Sequence, residues 1–196
     1  MDNGERRVCV YCGSSRQCDG AYLDAARQLG RVLAEAGLTV VYGGGGVGSM
    51  GALADGALAE GGKVVGVIPG FMMELEWGHS RLTAKLVVKD MHERKRRMIE
   101  GSSAAIALPG GCGTMEELME AITWKRLGLY SGAIVLVNTK NYFQPLLQML
   151  EQSVVERFMD PRHRAMWAVV SRPEEVVEAI QAAAPWGADC RKFAAL

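Results

Sequence analysis

The chain predicts an α/β fold, a single Rossmann-like domain whose mostly parallel sheet is doubly wound with helices. Three observations carry that prediction. Short continuous apolar runs alternate with amphipathic segments, as strands buried on both faces alternate with the helices that cover them. Glycine turns stand between several of these runs and the helices that follow. A length of 196 residues supports one full core and leaves little for a second.

The elements follow in order. Val8 to Tyr11 is a short apolar strand, and Tyr22 to Ala36 an amphipathic helix closed by Gly37. Leu38 to Tyr42 is the second strand, followed by a glycine loop and a helix from about Ser49 to Glu60, which Gly61-Gly62 ends. Lys63 to Ile68 is a third strand, stopped by Pro69-Gly70. Phe71 to Lys85 is the longest irregular piece, with Leu86 to Val88 as the next strand. Asp90, with Glu93 three residues on, has the form of a capping box and opens a helix. Ala104 to Leu108 and Ile134 to Val137 are strands, each leading to a helix, Thr114 to Leu127 and Phe143 to Phe158. Ala168 to Val170 is the last strand, and Ser171-x-x-Glu174 with Pro173 has the form of a cap for a helix to about Ala183. The domain is expected to span 1–196, with the tail frayed from Pro185.

Chemistry concentrates in Pro109-Gly110-Gly111-Cys112-Gly113-Thr114-Met115-Glu116-Glu117. An apolar strand ends in a glycine turn and a helix starts at once, so unpaired N–H groups and the helix dipole together favour an anion, most often phosphate. Thr114 adds a hydroxyl there, and Glu117 sits one turn inside the helix, too far in to serve as a cap. A pure phosphate grip gains nothing from a nearby carboxylate, which points to chemistry on a phosphorylated molecule. An ordinary strand–turn–helix joint with a surface glutamate is the other reading of the same residues.

The second half of the constellation is Met91-His92-Glu93-Arg94-Lys95. Met91 and Met98 define one helix face, and Arg94 and Lys95 fall on it. Arg96 falls opposite, and Arg97 can pair with Glu93 one turn away. A guanidinium on a stripe that should be buried needs an anion or an acceptor. Arg94 is therefore a candidate for ligand binding or catalysis.

These blocks, in order with Tyr42-Gly43-Gly44-Gly45-Gly46-Val47-Gly48-Ser49-Met50-Gly51, resemble the LOG ("Lonely guy") cytokinin-activating phosphoribohydrolases, from about Val8 to about Ala183. The resemblance implies hydrolysis of the N-glycosidic bond of a nucleoside 5'-monophosphate, cytokinin riboside 5'-monophosphate or AMP, to free base and ribose 5-phosphate. It implies Arg94 and Glu117 as the catalytic pair. The binding residues it implies are Glu76, Arg94, Lys95, the segment Gly110, Gly111, Cys112, Gly113, Thr114, Met115, Glu116 and Glu117, and Thr123. No metal or organic cofactor is implied. The chain departs from the family at Ser49, where leucine is usual, and at Cys112, where an aromatic or aliphatic residue is common. Both departures bear on the shape of the base pocket. The family's usual assembly, with the apolar cluster Trp124, Leu127, Leu129 and Tyr130, leads to the expectation of a homodimer.

Other classes fit less well. Net charge is zero and no basic patch is interleaved with aromatics, so nucleic-acid binding has no electrostatic support. No apolar run approaches the roughly 18 residues of a membrane span. The N-terminus lacks a signal-peptide core, and five cysteines without framework spacing fit a reducing compartment, so a cytoplasmic location is expected. Cys9-x-x-Cys12 lies in a strand-like run rather than opening a helix, against a redox role, and the three histidines lack zinc-ligand spacing. Gly43-x-Gly45-x-x-Gly48 invites a dinucleotide site, yet the next strand ends Val67-Ile68-Pro69-Gly70 without the acid that would grip a ribose. Neither glycine loop carries the Gly-Lys-Ser/Thr of a P-loop. Lysine decarboxylation would need a pyridoxal-bearing lysine, and none is marked. A non-catalytic nucleotide or cofactor carrier on the same fold is the alternative function; it has no reason to keep Arg94 opposite Glu117.

Overall fold

A computed structural model describes residues 6–74 and 78–193. Its centre is a seven-stranded sheet of β1 (Arg7–Tyr11), β2 (Thr39–Tyr42), β3 (Val64–Pro69), β4 (Ala84–Val88), β5 (Ser102–Ala107), β6 (Ala133–Val137) and β7 (Ala168–Val170). The spatial order is β4-β3-β2-β1-β5-β6-β7, and every pairing is parallel. The chain winds outward from β1 to β4, then returns to lay β5 on the other side of β1. The direction of winding reverses between β1 and β5, and in such sheets ligands bind outside the carboxyl ends of the strands at that reversal.

Alternation along each strand divides the core in two. Val8 and Val10 of β1 and Ala104 and Ile106 of β5 face α1 (Gly20–Glu35), α2 (Gly48–Ala59) and α7 (Val176–Ala182). Cys9, Tyr11, Ala105 and Ala107 face α4 (Met91–Ile99), α5 (Cys112–Arg126) and α6 (Gln144–Val155). Leu29 and Leu33 on α1 and Leu118 on α5 are fully buried, each contributing roughly 1.5–3 kcal/mol of transfer free energy. Burial also pushes the Cys9 and Cys12 thiols well above the ordinary cysteine range, and neither forms a disulfide.

Three local expectations change. The stretch after Pro69 holds a short helix, α3 (Gly70–Glu74), and β4 starts two residues before Leu86. Ser171 does not cap a helix: Arg172 precedes a 3-10 turn at Pro173–Glu175, and Glu175 accepts the Ser171 amide at 3.0 Å. The tail does not fray through Phe193. Trp186 donates its indole N–H to Lys125 O at 2.7 Å, Arg191 reaches the carbonyls of Leu127 and Gly128, and Cys190 is buried. These donors satisfy carbonyls that the end of α5 leaves without helical partners.

Candidate active site

The site is built where β2, β3 and β5 end. Asp90 caps α4 by accepting the Glu93 amide at 2.8 Å, which fixes the helix so that Arg94 and Lys95 turn toward the sheet. Glu93 reaches back to the Lys89 amide, one residue before the box partner expected from sequence. Arg94 is 6% exposed. Its Nε donates to Val67 O at 3.1 Å and its Nη2 to Gly43 O at 3.3 Å, so the ends of β3 and β2 receive the buried cation. Gly43 permits this approach: a Cβ there would stand 1.9 Å from Nη2.

The remaining face of the guanidinium looks at Glu117, with Nη1 at 3.6 Å from Oε1. Glu117 is 5% exposed. Burial pushes its carboxyl up to about 7; Arg94 pulls the other way, and Glu116 adds a smaller upward push. The pair is thus dry, opposite in charge and set slightly beyond hydrogen-bond distance.

The neighbouring residues make a second, wetter pair. Lys95 Nζ contacts Glu116 and lies 3.2 Å from Glu120 Oε1. Burial works against the ammonium, but the hydrogen bonds to Glu116 and Glu120 outweigh it, so Lys95 titrates above the ordinary lysine value. Glu120, on the polar side of α5, is therefore engaged rather than idle.

The glycine turn lies at the start of α5. Gly111 precedes the helix with no side-chain cap, Thr114 is buried against Gly110, and the Tyr142 hydroxyl donates to Gly110 O. Gly111, Cys112 and Gly113 are exposed at the rim and Met115 is half-buried. Beside them a crevice of about 330 Å³ opens between the ends of β1 and β5, lined in part by Ser14, Tyr22, Ser49, Gly110 and Tyr142. A larger concavity of about 740 Å³, with Trp124, Leu129 and Tyr130 in its wall, lies toward the amino ends of β5 and β6, away from the charged pairs.

Arg94, Lys95, Glu116 and Glu117 therefore meet between α4 and α5, with Gly110 to Thr114 at the helix start. Thr123 does not join them: it is exposed, and its hydroxyl donates back to Met119 O at 2.8 Å. Glu76 lies outside the described residues. Sequence reasoning did not single out Ser14 or Tyr142, or a clamp behind Gly43. In that clamp His79 Nε2 lies 3.2 Å from Asp55 Oδ1, Arg81 reaches the same oxygen, and the His79 amide donates to Gly44 O at 2.9 Å. The two consecutive glycine-loop residues Gly43 and Gly44 thus serve Arg94 and His79. The available signal was weak: the Gly13-Ser14-Ser15 turn after the first strand has the same form as the other two strand-end turns.

A doubly wound α/β protein with a glycine turn and a buried Arg–Glu pair at the ligand-binding edge of its sheet is the class that this fold and site define. Residues 50–180 match a family described as "Possible lysine decarboxylase". The chain is 41% identical to a probable cytokinin riboside 5'-monophosphate phosphoribohydrolase of Oryza sativa subsp. japonica, over 92% of this chain and 74% of that one. It is 44% identical to a cytokinin riboside 5'-monophosphate phosphoribohydrolase of Rhodococcoides fascians, over 90% of this chain and 89% of that one. The chain belongs to this family, that of the LOG phosphoribohydrolases. Among solved structures, the molybdenum cofactor carrier protein of Chlamydomonas reinhardtii aligns with a TM-score of 0.69 at 21% identity, over 90% of this chain and 96% of that one. That likeness shows the shared fold.

Proposed function

We propose that this chain hydrolyses the N-glycosidic bond of adenine nucleoside 5'-monophosphates, cytokinin riboside 5'-monophosphate or AMP, releasing the base and ribose 5-phosphate. The observation that carries the reading is the buried pair of Arg94 and Glu117, 3.6 Å apart beside an uncapped helix start. Cleavage of the C1'–N9 bond passes through a ribose with oxocarbenium character; water then supplies the hydroxyl to C1' and, in balance, a proton to the base. Ionised Glu117 stabilises that developing charge through the ribose hydroxyls and orients the attacking water. Arg94 holds Glu117 in place and attracts the phosphate. A guanidinium stays charged at working pH, so Arg94 is not the proton donor. The amides from Gly111 to Thr114 grip the 5'-phosphate, using binding energy remote from the bond to align it.

Names of relatives at 41% and 44% identity favour hydrolysis over the carrier alternative. Pyridoxal chemistry does not fit: Lys95, the lysine of the site, is held between Glu116 and Glu120 rather than left to form a Schiff base. Incubation with AMP, prenyl-AMP, GMP and CMP, with chromatography for free base, tests the reading and fixes the preferred base. AMP should be cleaved roughly a hundredfold better in kcat/KM than adenosine, about 3 kcal/mol from a multidentate phosphate grip. Comparable turnover of adenosine overturns the phosphate role.

The same proposal includes a homodimer acting in the cytoplasm. Leu127 and Leu129, 44% and 65% exposed beside the larger concavity, support the first, and five free cysteines the second. Among the described residues no helix is long and apolar enough to cross a membrane. Light scattering that gave a 21.2 kDa monomer at micromolar concentration would exclude the dimer.

A further inference from the structure

We infer that His79, held by Asp55, is a positioning residue for the buried Arg94–Glu117 pair and acts on it through the backbone of the glycine loop. The inference rests on the proposed hydrolysis for the reaction that the pair performs. His79 lies between α3 and β4 and is 6% exposed. Both nitrogens of its ring are engaged. Nδ1 accepts the Arg81 amide at 3.1 Å, so Nε2 is the donor, and Asp55 Oδ1 receives it at 3.2 Å. Asp55 stands on α2, the helix that opens directly after the glycine loop, so this bond fastens the segment around His79 to that helix. Neither ring bond completes a helix or a strand ladder; together they fix where the His79 backbone lies.

That backbone grips the loop. The His79 amide donates to Gly44 O at 2.9 Å, and Gly78 forms an isolated antiparallel bridge with Gly45. The two segments lie backbone against backbone: a Cβ on Gly46 would stand 3.2 Å from His79 Cα. One residue before Gly44, Gly43 O accepts Arg94 Nη2 at 3.3 Å, and the Nη1 of the same guanidinium faces Glu117 across 3.6 Å. A continuous line of bonded groups therefore runs from Asp55 through His79, Gly44 and Gly43 to Arg94. Besides Arg94, the titratable groups facing Glu117 among the described residues are Lys95 of α4, Glu116 and Glu120 of α5, and Cys9, Tyr11 and Cys12 along β1 and just past its end. The side chains of His79 and Asp55 bond to each other and to Arg81, not to any of these. A changed Glu117 titration in their variants thus reports on Arg94. Loss of the Asp55 charge by itself would move that titration to lower pH, opposite to the effect of a displaced guanidinium.

The test follows the Glu117 carboxyl by carbon-13 NMR across pH, assigned against Glu117→Gln, in the wild type, His79→Ala, His79→Gln, Asp55→Ala and the double alanine variant. Adenine release from AMP is measured on the same samples. In His79→Ala the Glu117 midpoint, about 7 in the wild type, should rise by about half a pH unit or more as Arg94 loosens, and kcat/KM should fall roughly tenfold. Gln places an amide donor where Nε2 stood, so His79→Gln should return kcat/KM to within about threefold of wild type and the midpoint most of the way. Asp55→Ala should match His79→Ala, and the double variant should be no worse than either, because both break one line. An unmoved midpoint in His79→Ala overturns the inference whatever its thermal stability, and so does a double variant in which the two losses add. If His79→Ala does not fold, Asp55→Ala decides alone, since alanine suits the interior of α2. A midpoint that rises as expected in a protein whose wild type releases no adenine defeats hydrolysis and spares the positioning line; release with an unmoved midpoint does the reverse.

Discussion

Two ion pairs join α4 to α5 through adjacent residues, and they are built in opposite ways. Lys95 meets Glu116 and Glu120 at the edge of the interface, where the Glu116 side chain is 57% exposed. Arg94, the residue before Lys95, meets Glu117, the residue after Glu116, where both side chains are under a tenth exposed and the separation is 3.6 Å. In the outer pair the Lys95 side chain is only 9% exposed but its carboxylate partners reach solvent, so the contact is of modest worth. The inner pair gives up hydration on both sides without gaining a short hydrogen bond between the partners, and a buried pair of that kind is poor evidence for stability. Arg94 recovers its loss from two backbone carbonyls, whereas Glu117 is left with a carboxyl near 7. The difference fits the proposed chemical role of the inner carboxylate, while the outer pair serves the contact between the helices.

The largest expected effect comes from removing the inner charge. Glu117→Gln keeps shape and some hydrogen bonding but loses the charge that an oxocarbenium-like transition state feels. We expect kcat for AMP to fall by about two to three orders of magnitude, with nucleotide affinity within a few-fold. Arg94→Ala should damage both, because its charge also attracts ground-state phosphate. Adenine release by chromatography and AMP affinity by calorimetry separate the two; full activity in Glu117→Gln would remove that carboxylate from the mechanism.

The same variant should be more stable than the wild type. Between the ordinary glutamate value of 4.5 and the folded value of about 7, the folded protein holds a proton that the unfolded chain has lost. Stability therefore falls as pH rises through that window and is lowest above it. Gln mimics the protonated form, so Glu117→Gln should gain up to about 3 kcal/mol at pH 8 and nearly nothing at pH 4. Denaturant unfolding of both proteins at the two values checks this, and an equal difference at both would show that Glu117 titrates normally.

A smaller effect is expected from the Arg94 side. In Gly43→Ala the new methyl group would displace the far end of a flexible side chain rather than backbone. Stability should change by about 1 kcal/mol or less, while kcat/KM falls roughly ten- to thirtyfold as the guanidinium leaves its place. Glu117 then loses its counter-charge, so the rising limb of the pH profile, near 7 in the wild type, should move to higher pH. A fall in rate with no such movement would mean that Arg94 acts on the substrate alone.

These contrasts mark how far the sequence could be read. The Arg94 side chain was legible because it stands three residues from Met91 on an apolar helical stripe, and the strands were legible because parallel strands buried on both faces are continuous apolar runs. The acceptors of Arg94 were not, since Val67 and Gly43 offer backbone oxygens that no residue type announces. The tail was illegible because Trp186, Cys190 and Arg191 follow no helical or strand period, yet their donors find the open carbonyls of α5. Thr123, implied by resemblance, is exposed between the buried Ile122 and the half-buried Trp124 on α5.

The smallest effect expected belongs to the outer pair and sharpens the comparison most directly. From sequence, Glu120 is a surface glutamate of α5; in the structure its Oε1 lies 3.2 Å from Lys95 Nζ, with 30% of the side chain exposed. Glu120→Gln leaves Glu116 to hold the ammonium, so the loss in stability should stay below about 1 kcal/mol, shrinking further at high salt. Turnover should stay within about threefold, because a half-solvated charge beyond the inner pair is screened from the reacting ribose. The small upward push that Glu120 exerts on the Glu117 carboxyl should also vanish, moving the pH profile slightly to lower pH, opposite to Gly43→Ala. If Glu120→Gln instead cost activity on the scale of Glu117→Gln, the two pairs would be one coupled network, and the division between an inner chemical pair and an outer structural one would fail.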